Sequence, residues 1–220
     1  MRERLLASAT RLFAERGFDG TAIQDVADDV GVSKPAVLHH FSSKEQLRVA
    51  VLATILDHWS DTLPRLLLAA TASDTRFDAV FGEVYRFFST EPDRARVIAR
   101  EALDRPSEVR RLLRGPVGPV LKAVAEYVES GKAHGRHSGD VDAEAYVAIV
   151  LQLIISAAAL ADVTSVGLGE GRSGRQRYDR ELTRIAKTAL FSPRDPAKKE
   201  KAGNSDVRKR AGRNEKRRGA

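Results

Sequence analysis

Lys34 and its neighbours are the residues of this chain best suited to chemistry with an anionic partner. Lys34 follows Ser33 and precedes a pair of imidazoles, His39 and His40. A lysine can donate hydrogen bonds to a phosphate or to the O6 and N7 acceptors of guanine. Backbone N–H groups near Thr21 and Ser33, at the starts of predicted helices, can bind further phosphates. These residue types therefore predict contacts with nucleic acid.

Two short helices joined by a tight turn are predicted to position these residues. Thr21 is the expected N-cap of the first helix, and Gln24 would complete a capping box. Gly31 is expected to end that helix, and Ser33 to cap the second. The apolar face of the first helix consists of Ile23, Val26, Ala27 and Val30. This arrangement is typical of a helix-turn-helix, whose second helix enters the major groove of DNA.

The net charge of +7 does not come from this region. Residues 194–220 hold eleven Lys/Arg and four Asp/Glu, whereas residues 1–48 hold seven of each kind. The positive excess belongs to the C-terminal end, where low apolar content predicts a disordered tail. The tail could add nonspecific DNA affinity or only solubility.

The composition also bears on compartment and cofactors. The chain contains no cysteine, which excludes disulfides and thiolate metal sites and suits a reducing compartment. Charged residues interrupt any apolar leader within the first 15 positions, so we expect a cytoplasmic protein without a signal peptide. His134, His137 and Asp140 have the spacing of metal ligands but lack supporting residues nearby, so we expect no metal ion and no other cofactor.

Helical periods recur along the rest of the chain, and strand patterns are weak, so the predicted fold is all-α. We expect a DNA-binding domain over residues 1–48, a second helical domain over 49–192 and a basic tail over 193–220. Pro64 is expected to kink or end a long helix that opens at Ser43, and the glycines and prolines of residues 115–119 to interrupt another.

Aromatic residues recur at helical spacing between positions 77 and 88 and could line a ligand cavity. Core packing is the competing interpretation, although the two are compatible because apolar pockets are formed within cores. Arg100, one helical turn after Arg96, could meet a ligand carboxylate, or both arginines could form surface ion pairs. The candidate pocket residues are Trp59, Phe81, Tyr85, Phe88 and Arg100.

Residues 143–163 form an almost wholly apolar run. The run is alanine-rich and stands alone, so we interpret it as a helix buried on several sides rather than a membrane span. Residues 177–191, which combine one apolar stripe with an arginine-rich face, are its expected partner.

The segment Leu5–Leu47 closely resembles the N-terminal domain of the tetracycline-repressor (TetR) family of one-component transcription regulators. The matching elements keep the order and spacing of that family across 43 residues. They are Leu12-Phe13, Gly17-Phe18, Thr21, Asp25-Val26-Ala27, Gly31-Val32-Ser33-Lys34, His39-His40-Phe41 and Ser43-Lys44-Glu45 with Leu47.

The resemblance implies about nine helices: a three-helix helix-turn-helix domain, then a helical ligand-binding and dimerisation domain. It also implies a homodimer, with the helices near 143–163 and 177–191 as its expected interface. The dimer would bind double-stranded DNA at a palindromic operator of two half-sites. A largely apolar small-molecule effector would release it, so we expect a repressor.

Carried over residue by residue, the resemblance also implies which side chains meet DNA. Thr21, His40 and Lys44 would hold phosphates. Leu38 stands where many members have a tyrosine that contacts DNA, so one hydroxyl donor is missing here. The residues expected to face the groove are Ser33, Lys34, Pro35, Ala36 and His39.

The alternative function is a helical DNA-binding protein without an effector, such as an architectural factor. About 170 residues beyond the DNA-binding domain, rich in aromatic positions, argue against it. An enzyme is a third class. It is disfavoured because neither a Ser/His/Asp arrangement nor a carboxylate pair stands out.

Overall fold

A computed structural model of the chain describes residues 1–69, 73–169 and 171–191. All regular structure in these ranges is helical, which confirms the all-α prediction. The expected tail over 193–220 lies outside the described residues. The described ranges hold a short 3-10 helix, Val166–Leu168, and ten α-helices, which are α1 (Arg2–Arg16), α2 (Ile23–Val30), α3 (Lys34–His40), α4 (Lys44–Ala69), α5 (Ser73–Thr90), α6 (Pro92–Asp104), α7 (Pro106–Arg114), α8 (Gly118–Ala133), α9 (Ala143–Thr164) and α10 (Gly171–Leu190).

The first three helices enclose a small core of their own. α1 buries a stripe that includes Leu5, Leu12 and Phe13, and it ends at Gly17, whose φ is +77°. α2 buries Val26 and Ala27, and α3 buries Val37 completely. α1 packs against both α2 and α4, and α2 packs against α3, so the seven-residue α3 is held mainly by α2.

α4 is a continuous helix of 26 residues that crosses position 48, the predicted boundary between the two domains. It continues five residues beyond Pro64, so Pro64 does not end it. A proline removes one backbone hydrogen bond, and packing of the surrounding turns can compensate for that loss. The interruption predicted over residues 115–119 is found at 115–117, because α7 ends at Arg114 and α8 begins at Gly118.

α9 is the central helix of the remaining bundle and packs mainly against α5, α6 and α8. Four buried alanines, Ala157, Ala158, Ala159 and Ala161, let its neighbours approach closely. In the described part of the chain, α9 alone is long and apolar enough to cross a membrane by length and composition. It packs against three helices of the bundle, but only 33% of its most apolar stretch is buried. Its contact with α10, the expected partner, is smaller, and one of its sides stays exposed.

Candidate nucleic-acid interface

The turn between α2 and α3 has the predicted geometry. Gly31 has a φ of +75°, a left-handed conformation that glycine adopts without strain. The N–H of Val32 donates to the carbonyl oxygen of Ala27 at 2.9 Å, which closes the end of α2. Ser33 then caps α3, because its hydroxyl oxygen accepts a hydrogen bond from the N–H of Ala36. Gly31 therefore ends α2 and Ser33 caps α3, as the sequence predicts.

Thr21 is the first correction. The N-cap of α2 is Ala22, and its N–H donates to the carboxylate of Asp25 at 2.6 Å, in place of the predicted box between Thr21 and Gln24. Thr21 is only 1% exposed, and its hydroxyl donates to the carbonyl oxygens of Leu12 and Gly17. Its side chain ties the turn to α1 and is not available to a phosphate. Asp25 supplies only the half of a capping box that bonds the N-cap N–H, because Ala22 has no side-chain oxygen, so the sequence pattern favours the Thr21 register that the structure does not adopt.

The other predicted contacts at the start of α3 and along it are exposed, apart from Ala36. Val37 points inward and is fully buried, whereas Ala36 is half-buried. The exposed residues are Ser33, Lys34, Pro35, Leu38, His39 and His40. α3 therefore presents a cation, two imidazoles and a small apolar surface to the outside, which is the composition that base edges and phosphates require.

Lys44 extends this surface onto the start of α4. The helix is capped by Ser43, whose hydroxyl oxygen accepts from the N–H of Gln46 at 3.1 Å. The ammonium group of Lys44 lies 4.2 Å from the ring centre of Phe18 and is half-buried. Arg105, between α6 and α7, lies 4.3 Å from the same ring. Phe18 thus positions a predicted phosphate ligand and also contacts the second part of the chain.

Two acidic residues of α2 accept hydrogen bonds from neighbouring side chains. Asp29 accepts hydrogen bonds from the hydroxyl of Ser8 and the guanidinium of Arg11. The Ser8 bond, followed by the Arg11 contact, lowers the pKa of the Asp29 carboxyl below its ordinary value. Asp28 accepts from the side-chain amide of Gln24. The Asp29 carboxylate is therefore directed toward α1, and the Asp28 carboxylate toward the N-terminal turn of α2.

The predicted pocket aromatics form a packed layer within the helical domain. The rings of Phe77, Phe81 and Tyr85 stack in sequence along α5, and Phe88 is buried beyond them. Burial and a hydrogen bond to Asp179 raise the pKa of the Tyr85 hydroxyl, which donates to that carboxylate on α10.

Trp59 lies on α4 and is half-buried. Its ring meets Phe87 edge-on at 5.0 Å, while His58 stacks on Phe87 at 4.4 Å. Burial, followed by the charge of Arg94, lowers the pKa of His58. The α5 layer is therefore packed as core, which agrees with the competing interpretation of these aromatic residues.

Arg100 is the second correction, because its guanidinium is bound to α1 rather than to the aromatic layer. Its Nε donates to the carbonyl oxygen of Ala14 at 2.9 Å, and its Nη2 donates to that of Glu15 at 3.1 Å. These carbonyls lie in the last turn of α1, where intrahelical partners are missing. Arg96, by contrast, forms ion pairs with Asp93 and Asp162, as the ion-pair interpretation predicts.

The histidines with metal-like spacing belong to the packing of the α8–α9 loop. His137 is 5% exposed, and its ring meets Tyr127 and Phe191 edge-on. One of its ring nitrogens lies 2.9 Å from the carbonyl oxygen of Val128. A ring nitrogen of His134 instead lies 2.6 Å from the carbonyl oxygen of Ser130. The two imidazoles therefore have separate partners.

Comparison with known proteins finds similarity that is strongest in this part of the chain. Residues 5–51 match the family described as "Bacterial regulatory proteins, tetR family". The HTH-type transcriptional repressor KstR2 of Mycolicibacterium smegmatis is 35% identical over 80 residues, which are 36% of this chain and 39% of that protein. The HTH-type transcriptional activator FasR of the same organism is 32% identical over 97 residues, or 44% of each chain. Both alignments span less than half of the relative.

The whole described fold also has counterparts among solved structures. A transcriptional regulator from Saccharomonospora viridis, solved in complex with choline, superposes with a TM-score of 0.65. The match covers 87% of this chain and 98% of that chain at 19% sequence identity. At this identity the match establishes the shared fold.

Proposed function

We propose that this chain, whose residues 5–51 form an N-terminal domain of the tetR family of bacterial regulatory proteins, represses transcription as a DNA-bound homodimer. The observation that carries the proposal is the exposed side of α3. Lys34, Pro35 and His39 are exposed there, Val37 anchors the helix from behind, and Gly31 fixes the turn that presents it. A helix supported in this way fits the major groove. The protein would work in the cytoplasm by binding, not as an enzyme.

A second copy of the chain is the partner that we propose for the exposed side of α9. Ile149, Leu160 and Val163 are 64%, 52% and 74% exposed on that helix, and Ile185 of α10 is 48% exposed. Large apolar side chains exposed along one side of a helix favour burial against another protein surface. In a twofold dimer the same stripe would be covered on both copies, and two α3 helices would read two related half-sites.

A largely apolar small molecule is the effector that we propose for the helical domain. The aromatic layer of Phe81, Tyr85 and Phe88, with Trp59 nearby, supplies the surface for it. Many ligand pockets are lined in this way by apolar and aromatic side chains. Binding there would favour a conformation in which the two α3 helices no longer match the spacing of the half-sites, so effector and DNA would oppose each other.

We propose that α6 couples effector binding to DNA binding. Arg100 donates to the end of α1, Glu101 pairs with Arg48 of α4, and Arg105 pairs with Asp19 just beyond α1. These contacts attach one side of α6 to two helices and one turn of the DNA-binding domain. A shift of α6 on ligand binding would therefore act directly on the orientation of that domain.

Selection of bound sequences from a random DNA pool tests the proposed function. We expect enrichment of a palindrome whose half-site centres are about one helical turn of DNA apart. Failure to enrich any sequence would overturn the proposal. Val163→Asp should dissociate the dimer in analytical ultracentrifugation and abolish palindrome binding. Leu103→Asp, at an exposed leucine of α6, is the matched control and should leave the dimer intact.

The effector is tested by thermal shift with a library of apolar small molecules. We expect that compounds which raise the melting temperature also weaken binding to the selected operator. A stabilising compound that leaves operator affinity unchanged would contradict the coupling. A reporter gene placed behind the operator distinguishes repression from activation, since deletion of the regulator should raise expression if it is a repressor.

A further inference from the structure

Leu38 is a large aliphatic side chain on α3 whose exposure is not explained by the phosphate and hydrogen-bond contacts described above. It is 37% exposed and lies outside the hydrophobic core, although it directly follows the fully buried Val37. An isolated exposed leucine is ordinary on a protein surface. Leu38 differs because it lies on the one helix whose exposed side is proposed to enter the major groove.

The helical geometry places Leu38 beside Lys34. Successive residues of a helix are rotated by about 100°, so Pro35 and His39 lie almost opposite the inward-pointing Val37. Leu38 lies about 100° from Val37, on the same flank as Lys34, which precedes it by one turn. The aliphatic side chain and the ammonium group thus line one edge of the exposed surface of α3.

The chemistry of the base edges restricts what Leu38 can contact. A leucine side chain neither donates nor accepts hydrogen bonds, so it gains nothing from phosphate oxygens or from the polar atoms of bases. The 5-methyl group of thymine is the apolar group that standard bases present in the major groove. We infer that Leu38 is a specificity-determining residue that contacts the methyl group of a thymine in each operator half-site. The inference rests on the proposed function and deepens it.

The position of this thymine follows from the distance between Leu38 and Lys34. One helical turn corresponds to about 5.4 Å along α3. Base pairs of DNA are spaced about 3.4 Å apart, so the thymine lies within about two base pairs of the group that Lys34 contacts. A tyrosine at this position would offer a hydroxyl to a polar partner, whereas leucine exchanges that contact for selection of a methyl group.

Substitution of deoxyuridine for thymine tests the inference, because it removes the methyl group and leaves base pairing intact. In the selected operator, each thymine is replaced in turn, and the dissociation constants of the wild type and Leu38→Ala are measured by fluorescence anisotropy. We expect one position per half-site at which the replacement weakens wild-type binding about fourfold, the value of one buried methyl group. Leu38→Ala should show no loss at that position and ordinary behaviour elsewhere.

Two further variants control for folding and for nonspecific effects. Leu38→Met keeps an aliphatic contact and should retain the thymine preference. Val49→Ala alters an exposed apolar residue of α4 and should leave the deoxyuridine profile unchanged. Equal deoxyuridine effects in the wild type and Leu38→Ala, or none in either, would overturn the assignment of Leu38. A selection that enriches no sequence would instead overturn the proposed function itself.

Discussion

The carboxylate of Glu101 accepts a hydrogen bond of 2.6 Å from the guanidinium of Arg48, and this buried ion pair joins α6 to α4. Both side chains are almost entirely removed from solvent. The Nε of Arg48 is buried and, among the described residues, has no hydrogen-bond partner. A charge left in this environment without its counterpart would be costly. The pair therefore fixes how α6 sits against α4, the helix that follows α3.

Removing one partner of this pair should destabilise the protein more than removing both. Glu101→Leu leaves the Arg48 guanidinium buried without its carboxylate and should lower the free energy of unfolding by about 3–5 kcal/mol. The double variant Arg48→Met/Glu101→Leu should lose less, because no uncompensated charge remains. Urea unfolding of the wild type, both single variants and the double variant measures this difference. Additive losses in the double variant would contradict a coupled pair.

Lys34→Ala should weaken binding to the selected operator by about 1–3 kcal/mol if Lys34 donates to a base edge. The loss should be concentrated on the operator, because base contacts distinguish sequences and phosphate contacts do not. Lys122→Ala, at an exposed lysine of α8, is the matched control and should have no effect. Equal losses on operator and random DNA would show that Lys34 contacts a phosphate.

Thr21→Val should lower the free energy of unfolding by about 1–3 kcal/mol, because the carbonyl oxygens of Leu12 and Gly17 lose a buried donor. The salt dependence of DNA binding should not change, since the hydroxyl faces α1 and not the DNA. Thr21→Ser keeps the donor and should recover most of the stability. If DNA binding by Thr21→Val depended less on salt than binding by the wild type, Thr21 would contact a phosphate after all.

The Asp29 contact should contribute to the dependence of stability on pH. The pKa of this carboxyl is lowered in the folded state, so the contact stabilises the protein above the ordinary pKa of 3.8. The contribution is lost as the pH falls through the lowered folded-state pKa. Asp29→Asn should therefore be less stable than the wild type at neutral pH and should lose less on acidification. Parallel stability curves for the two proteins between neutral and acid pH would contradict this assignment.

Deletion of residues 194–220 should flatten the salt dependence of DNA binding and preserve the operator preference. The deleted segment carries eleven Lys/Arg against four Asp/Glu, and cations near phosphates release counterions on binding. Dissociation constants measured across a series of salt concentrations test this. An unchanged slope would leave the tail without a role in DNA binding.

The turn between α2 and α3 could be predicted from the sequence because the residues that determine it are close together in the chain. Gly31, Ser33 and the apolar spacing of α2 act within a few residues of one another, and the structure has them as expected. The N-cap prediction for Thr21 is wrong because its hydroxyl bonds α1 instead of the N-terminus of α2. Burial of its hydroxyl depends on Leu12 and Gly17, which no capping rule considers.

The connections between distant parts of the chain could not be predicted in the same way. Arg100 reaches Ala14 across 86 positions of sequence, and Tyr85 reaches Asp179 across 94. The residues next to a long, flexible arginine in the sequence do not indicate which carbonyl oxygen its guanidinium will bind. The periodicity of α6 places Arg96 and Arg100 on one side, but only the packing of α6 against α1 and α9 separates their roles.

Because α4 is long and unbroken, a small tilt of this helix moves its far end by a large distance. A helix of 26 residues is about 39 Å long. Tilted by about 5° around one end, such a rod displaces its other end by about 3.4 Å, the rise of one base pair. A rearrangement in the bundle too small to alter any single helix would thus be magnified at Lys44 into a mismatch of one step along the DNA.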